Sequence, residues 1–443
     1  MTMHRLALSA GFDRSIAWAQ GGSVRYLVAR VEALPATPED RAERGPLNIA
    51  LAIDASGSMG GGKLEAAKRA SLALLGRLSP RDRLTVVSFA SDVVTHLRAV
   101  PMDEAGQVQA SHALGQLQTR GNTFLSGGWF AAVDASAEAA EWNPGLTPRV
   151  VILSDGHANE GITSPDALAH HAGELRRRGV ITSTLGIGDG YDEALLAAIA
   201  ENGGGRLHDA ERTDEIEHVL LGEIGEAMAQ VADAVHLSLT VPAGVRAEPL
   251  GLSAAEAQPG RLGLSLGGLS AGVPRTAVIR LFCPTGEPGT GLDVVLSASA
   301  TASRSGDHLD APEVCCRLTF GMGRENDRQP RDEAQSTDAA RAWHAHVLRR
   351  AALLNRDADI HEAQTYLGRE LAHFTRFARE LPGGPEMIEQ LELVRRRSDR
   401  RWGERTRKEM VLHSALAERS GLDHRGTSRS HWTAHIANEP DAS

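Results

Sequence analysis

The chain has 443 residues, a formal net charge of −10 and an apolar fraction of 42%. A chain of this length is expected to divide into two or three domains, because a single hydrophobic core rarely serves so many residues. The acidic balance argues against a protein dominated by binding to nucleic acid or to an acidic membrane.

No stretch approaches the roughly 20 consecutive apolar residues of a membrane-spanning helix. The beginning, MTMHRLALSAGFDRS, lacks the sustained apolar core of a signal peptide. The only cysteines are Cys283, Cys315 and Cys316, so neither a disulfide framework nor a cysteine zinc site is indicated. We therefore expect a cytoplasmic protein that does not associate with a membrane.

The first predicted element is a strand-like run, SVRYLVARVEA at 23–33, within an N-terminal segment formed by residues 1–45. Over residues 46–232, short apolar runs then alternate with helical patterns. The runs LNIALAID, RLTVVSFA, RVVILSDG and GVITSTLGIG lack polar alternation, as strands buried on both faces do. Strands that alternate with amphipathic helices predict an α/β domain with a doubly wound, mostly parallel, Rossmann-like sheet.

After residue 232 the pattern changes to short strands separated by glycine and proline. The runs HLSLTV and EVCCRLTF place apolar and polar residues at alternate positions. Residues 233–322 are therefore predicted to form a small antiparallel β-sandwich. We expect the run at 23–33 to join this sandwich, so that the α/β domain is an insertion in it.

The remainder of the chain is predicted to be helical. A polar linker at 323–335 precedes a helical domain at 336–420, in which apolar stripes recur at helical spacing. Residues 421–443 have no sustained periodicity and are predicted to form a loosely ordered tail.

Hydroxyl and carboxylate side chains follow the predicted parallel strands at their carboxyl ends. Asp54, Ser56 and Ser58 follow the first strand, Asp155 closes another, and Thr123 precedes a helix between them. Ligands of open parallel sheets bind at this edge, and hard divalent cations prefer oxygen ligands. One interpretation is therefore a metal site formed by these five residues.

The alternative is that Asp54 and the serines only cap the helix that begins near Lys63, a common role for Asp and Ser. The short motif D-x-S-x-S carries little weight by itself. Its context favours the metal, because the motif follows a buried strand and opens onto a helix, with Gly-x-Thr and Asp-Gly later in that order.

With these motifs, residues 46–232 resemble the von Willebrand factor A (VWA) domain family. Asp54, Ser56 and Ser58 match the D-x-S-x-S of its metal-ion-dependent adhesion site (MIDAS), Thr123 its second-loop threonine and Asp155 its third-loop aspartate. The resemblance implies a complete site for Mg²⁺, with Mn²⁺ or Ca²⁺ as alternatives. The whole arrangement is similar to bacterial multidomain proteins that carry this domain.

The resemblance further implies a non-enzymatic adaptor or scaffold protein. The cation would keep an open coordination position, which a Glu or Asp carboxylate of a protein partner would fill. Because many bacterial relatives work beside AAA+ ATPases, such an ATPase system is a candidate partner.

Two other functions stay open. One is an architectural assembly subunit that binds through the sandwich and the helical tail, with an idle metal site. The other is a Mg²⁺-dependent phosphatase of the haloacid dehalogenase type, which would use Asp54 as a nucleophile and an Asp two positions later as acid and base. That later position is Ser56, whose hydroxyl does not replace a carboxyl group near neutral pH, so the enzyme is the weaker alternative.

A basic run, RRRSDRRWGERTRK at 395–408, is a strong local concentration of charge. On a continuous helix, Arg397, Arg401, Arg405 and Lys408 would lie roughly on one stripe. We expect a solvated helix face, with a surface for nucleic acid or an acidic protein as the alternative.

Overall fold

An α/β domain interrupts a β-sandwich, and a helical region follows the sandwich in the chain. The computed structural model describes residues 5–34, 46–142, 146, 148–155, 158–188, 190–210, 212–251, 254–270, 272–303, 307–357, 360–418, 433 and 436. Within these residues the arrangement confirms the predicted fold class.

Three strands precede the α/β domain. They are β1 (Arg5–Phe12), β2 (Ile16–Trp18) and β3 (Val24–Leu34). β3 is the strand-like run of the sequence, and it pairs with β1 in the antiparallel direction.

The α/β domain has six strands and six helices among the described residues. In chain order they are β4 (Asn48–Asp54), α1 (Lys63–Leu75), β5 (Arg83–Phe89), β6 (Val93–Pro101), α2 (Glu104–Gly115), α3 (Leu125–Trp142), β7 (Pro148–Ser154), α4 (Pro165–Arg177), β8 (Ile181–Ile187), α5 (Glu193–Asn202), β9 (Gly204–Ala210) and α6 (Glu215–Ala229). The sheet order is β6-β5-β4-β7-β8-β9, and only the edge strand β6 is antiparallel to its neighbour. Every residue of β4 is buried, because α1, α2 and α6 cover one face of the sheet and α3, α4 and α5 the other.

The sandwich resumes after α6. Its later strands are β10 (Gln230–Thr240), β11 (Arg246–Leu250), β12 (Ala254–Gln258), β13 (Arg261–Ser270), β14 (Arg275–Phe282), β15 (Gly291–Ala302), β16 (His308–Asp310) and β17 (Val314–Gly321). One sheet has the order β1-β3-β14-β11, and the other has the order β12-β13-β10-β15-β17-β2, with β16 beside β15. Apolar side chains of both sheets, such as Leu27 and Leu237, meet in a common core. Because β3 pairs with β14, the chain leaves the sandwich after β3 and returns to it after the α/β domain.

Five helices form the C-terminal region within the described part of the chain. They are α7 (Gly323–Arg328), α8 (Glu333–Asp357), α9 (Ile360–Ala378), α10 (Gly384–Arg396) and α11 (Glu404–Glu418). α8 covers the outer face of the first sheet, where Trp343 packs against Tyr26 and Val28. None of the described helices has the length and apolarity that crossing a membrane requires.

The helical region begins earlier in the chain than the sequence predicts. The segment 323–335, predicted as a linker, contains α7 and the beginning of α8. The predicted loose tail at 421–443 lies outside the described residues except for Thr433 and Ile436, and Ile436 is buried against the helical core.

The basic run at 395–408 does not form one helix, so the predicted single stripe is wrong. α10 ends at Arg396 and α11 begins at Glu404. The expected solvent exposure is also wrong for Lys408, which is 1% exposed and lies with its ammonium 4.0 Å from the ring centroid of Tyr191 in the α/β domain. Part of the run therefore joins the helical region to the α/β domain.

Candidate metal centre

Two carboxylates emerge side by side at one edge of the α/β sheet. Asp54 is the last residue of β4, and Asp155 directly follows β7. β4 and β7 are neighbouring parallel strands, so their carboxyl ends lie together. Asp54 and Asp155 are 0% and 3% exposed, which makes this edge a buried acidic position.

A chain of hydrogen bonds connects the two carboxylates through the motif serines. Asp54 Oδ1 accepts a hydrogen bond from the main-chain N–H of Ser56 at 2.8 Å, and the Oγ atoms of Ser56 and Ser58 lie 2.9 Å apart. Ser58 Oγ donates to Asp155 Oδ1 at 2.7 Å. The second oxygen of Asp54 accepts a hydrogen bond from Ser154 Oγ at 2.6 Å. Four of the five predicted residues are thus linked directly.

Thr123, the fifth predicted residue, is attached to the same edge through its loop. Its main-chain N–H donates to Asn159 Oδ1 at 2.9 Å, and its carbonyl accepts from the N–H of Asn159 at 3.2 Å. The carbonyl of Gly121, two residues earlier, accepts a hydrogen bond from the N–H of Gly57 at 3.1 Å. These bonds hold the Thr123 loop between the loops that follow β4 and β7.

Helix capping does not account for the motif. The N-cap of α1 is Gly62, which has a φ of 97° that favours glycine and makes no side-chain capping bond. Ser56 precedes a short 3₁₀ turn at Gly57–Met59, and its side chain makes no capping bond there either. The oxygens of Asp54 and the serines are directed to one another and to Asp155 instead.

Burial and a neighbouring charge make the ionised form of Asp54 costly. Burial raises the pKa of its carboxyl group above the ordinary value, hydrogen bonds from Ser154 and Ser56 oppose that shift, and the nearby Asp155 carboxylate adds to it. A bound cation would favour the ionised carboxylate, because opposite charges at short distance stabilise each other in a buried environment.

Sequence reasoning missed two side chains that hold this site. Ser154 precedes Asp155 and hydrogen-bonds Asp54 across the strands. Lys63, the first residue of α1, forms an ion pair from its Nζ atom to Asp155 Oδ2 at 2.5 Å. The only local signal for Lys63 is its position after the glycines that follow the motif, which does not reveal its partner.

The chemistry of these residues fits a hard divalent cation. Among the described residues, no group of three or more His, Cys, Asp or Glu side chains is placed to hold a metal ion, so the candidate centre depends on hydroxyl oxygens in addition to two carboxylates. A hydroxyl that donates its hydrogen to a carboxylate keeps lone pairs for a metal, as Ser58 does toward Asp155. Ser58 is exposed, which leaves the centre accessible from solvent.

The doubly wound sheet, with hydroxyls and carboxylates at its carboxyl edge, defines an α/β domain of the type that binds ligands beyond the ends of its strands. Residues 48–220 match the von Willebrand factor type A domain, and the chain thus contains a domain of this family.

Curated relatives match less than half of this chain. The uncharacterized protein sll0103 of Synechocystis is 29% identical over 47% of this chain and 51% of its own length. The uncharacterized protein YfbK of Escherichia coli is 28% identical over 42% of this chain and 32% of its own length. Human inter-alpha-trypsin inhibitor heavy chain H4 is 26% identical over 37% of this chain and 18% of its own length. The chain therefore spans about half, a third and a fifth of these relatives.

Solved structures share the fold over most of the chain. A von Willebrand factor type A protein from Catenulispora acidiphila has a TM-score of 0.68 at 17% identity and covers 89% of this chain and 91% of its own. The ArnB paralog VWA2 from Sulfolobus acidocaldarius has a TM-score of 0.60 at 16% identity and covers 94% and 98%. The likeness extends beyond the VWA domain and concerns the fold alone.

Proposed function

We propose that this protein binds a protein partner through Mg²⁺ held by Asp54, Ser56, Ser58, Thr123 and Asp155. The observation that supports the proposal is the hydrogen-bonded chain from Asp54 through both serines to Asp155, at the ligand-binding edge of the sheet. The five residues would then form the complete MIDAS of the VWA family.

The charge of the site favours an acidic partner. When bound, the cation supplies an electrophilic position that accepts an oxygen ligand from outside the chain. The protein's own residues hold the donors in place, since Ser154 and the Ser56 N–H engage both oxygens of Asp54. The hydroxyls of Ser56, Ser58 and Thr123 would contact the cation, whereas Asp54 and Asp155 would act largely through water or hydrogen bonds. Little negative charge would then touch the cation, and a Glu or Asp carboxylate of a partner would complete its coordination.

The proposed role is that of an adaptor or scaffold rather than an enzyme. Ser56 stands where a phosphatase of the alternative type would need its second carboxyl group. An AAA+ ATPase is the candidate partner that the family resemblance suggests, and the cytoplasm is the proposed location on the composition of the sequence.

Direct metal binding tests the proposal first. We expect isothermal titration calorimetry of the full chain to show one Mn²⁺ or Mg²⁺ site. Ser58→Ala should weaken metal binding at least tenfold, or by about 1.4 kcal/mol, because a hydroxyl ligand of the metal is lost. Ser111→Ala is the matched control, because Ser111 is an exposed serine of α2. Equal affinity for the wild type and Ser58→Ala would contradict the proposal.

Partner capture provides the second arm of this test. The immobilised full chain is exposed to cell lysate with Mg²⁺ or with chelator, using the wild type, Ser58→Ala and Ser111→Ala. A partner lost with chelator and with Ser58→Ala, but retained by Ser111→Ala, supports metal-dependent binding. A partner retained in every condition favours the architectural subunit, which would bind through the sandwich and helices.

A further inference from the structure

Both oxygens of the Asp155 carboxylate have partners within the chain. Its Oδ1 accepts the hydrogen bond from Ser58, and its Oδ2 accepts the ammonium of Lys63. The side chain of Asp155 has no exposed area, whereas that of Lys63 is 33% exposed. A divalent cation that takes Asp155 as a ligand, directly or through water, must therefore share this carboxylate with a positive charge that is already there.

The position of Lys63 is not explained by its own helix. Lys63 is the first residue of α1, where the positive end of the helix dipole disfavours a cationic side chain. The helix has an acidic residue in the same turn, Glu65, but that carboxylate pairs with Lys68. The interaction that compensates Lys63 is the ion pair with Asp155, across the loops of the candidate centre.

We infer that the ammonium of Lys63 occupies the position of a positive charge in the metal centre. It neutralises Asp155 when the metal is absent, and it competes with the metal for the Asp155 carboxylate. This inference rests on the proposed function and adds a residue that sets the affinity for the cation. The two ionised carboxylates carry a charge of −2 and the ammonium carries +1, so the centre has a net charge of −1. Because the ammonium is partly exposed on a flexible stem, it can move into water when a divalent ion arrives.

The inference predicts opposite effects of one substitution in the two states of the centre. Lys63→Met removes the competing charge, so we expect the full chain to bind Mn²⁺ about tenfold more tightly in calorimetry. In chelator, and therefore without metal, we expect Lys63→Met to melt at a lower temperature than the wild type. The Asp155 carboxylate then stays buried with no positive charge to compensate it. Saturating Mn²⁺ should close that gap in melting temperature.

Lys68→Met is the matched control, because it removes the same charge from the same helix at a side chain that contacts Glu65 and the carbonyl of Leu117. It should leave the Mn²⁺ affinity unchanged. Lys63→Gln is the second variant, for use if Lys63→Met does not fold in chelator, and Lys63→Arg should keep the affinity near that of the wild type.

The outcomes separate this inference from the proposed function. In one outcome, Ser58→Ala weakens Mn²⁺ binding, but Lys63→Met and Lys63→Gln bind Mn²⁺ as tightly as the wild type or less tightly. This result overturns the role of Lys63 only, and the contact between Lys63 and Asp155 is then a structural ion pair. Absence of Mn²⁺ binding in the wild type and in both Lys63 variants overturns both proposals. Tighter binding by both variants, with Lys68→Met unchanged, supports the competition.

Discussion

At the scale of single residues, the two buried carboxylates of the candidate centre each have partners that compensate them. In the candidate centre, Asp54 is compensated by two hydrogen bonds and Asp155 by one hydroxyl and one ammonium. Loss of one partner therefore costs more than the bond itself, since the remaining group stays buried without compensation. The same reasoning applies to a buried histidine far from the centre.

His344 in α8 should make the protein less stable in mild acid. Burial and the nearby His413 lower the pKa of His344 to about 3, although a hydrogen bond with Gln390 opposes this shift. The Nε2 atom of His344 has no hydrogen-bond partner. Below pH 6.5 the unfolded chain binds a proton at this residue that the folded chain does not. The free energy of unfolding should thus fall by about 1.4 kcal/mol per pH unit between about 6.5 and 3 through this group.

Urea unfolding of the wild type and His344→Phe at pH 7, 6, 5 and 4 checks this prediction. The variant lacks the titrating ring, so its stability should fall less steeply as the pH decreases. Parallel pH profiles for the two proteins would contradict it.

At the scale of elements, α11 is attached to the α/β domain by charged side chains. Arg405 lies 3.0 Å from Asp209 Oδ2 at the end of β9 and donates to Glu409 Oε1 at 3.1 Å. Tyr191, which precedes α5, donates a hydrogen bond to Asp209 Oδ1 at 2.9 Å. Burial raises the pKa of the Asp209 carboxyl, and the charge of Arg405 opposes that shift. Basic residues of the run at 395–408 are therefore part of an internal interface.

Arg405→Glu should destabilise the protein strongly. The substitution places a third carboxylate beside Asp209 and Glu409, and breaking a buried ion pair costs about 3–5 kcal/mol. Arg395→Glu is the control, because Arg395 is exposed in the same basic run, and its effect should stay within about 0.5 kcal/mol. Chemical unfolding of the two variants measures both effects, and equal stabilities would show that the α11 contacts contribute nothing.

At the scale of the whole molecule, ion pairs connect the three parts of the chain. Arg149 of β7 pairs with Asp233 of β10 at 2.6 Å, which joins the α/β domain to the sandwich. Arg349 of α8 pairs with Glu201 of α5, which joins the helical region to the α/β domain. Both pairs are largely shielded from solvent, so we expect the three parts to unfold cooperatively.

A double-mutant cycle on Arg349 and Glu201 tests this expectation. The free energies of unfolding of Arg349→Met, Glu201→Gln and the double variant should give a coupling energy of about 1 kcal/mol or more, because the two charges lie in one mostly buried contact. A coupling energy near zero, or two separate unfolding transitions, would indicate that the helical region unfolds independently of the α/β domain.

Local sequence patterns predict the class of the fold and the residues of the candidate site. The uninterrupted apolar run of β4 and the helical spacing in α1 are local patterns, and each reports burial without knowledge of distant residues. Asp54, Ser56 and Ser58 lie within five positions of one another, so their motif was also readable locally. Asp155 closes a predicted strand, Thr123 precedes a predicted helix, and both match the family pattern, so they complete the predicted site.

Which distant residues meet depends on how the elements pack in the folded chain. Lys63 and Asp155 are 92 positions apart, and nothing near Lys63 in the chain indicates its partner. The environment of the basic run is hidden from the sequence for the same reason, since charge content alone does not reveal that Lys408 is buried against Tyr191. Local propensity depends on neighbours in the chain, whereas ion pairs and interfaces depend on how complete elements pack. The ion pairs and interfaces are therefore visible only in the folded molecule.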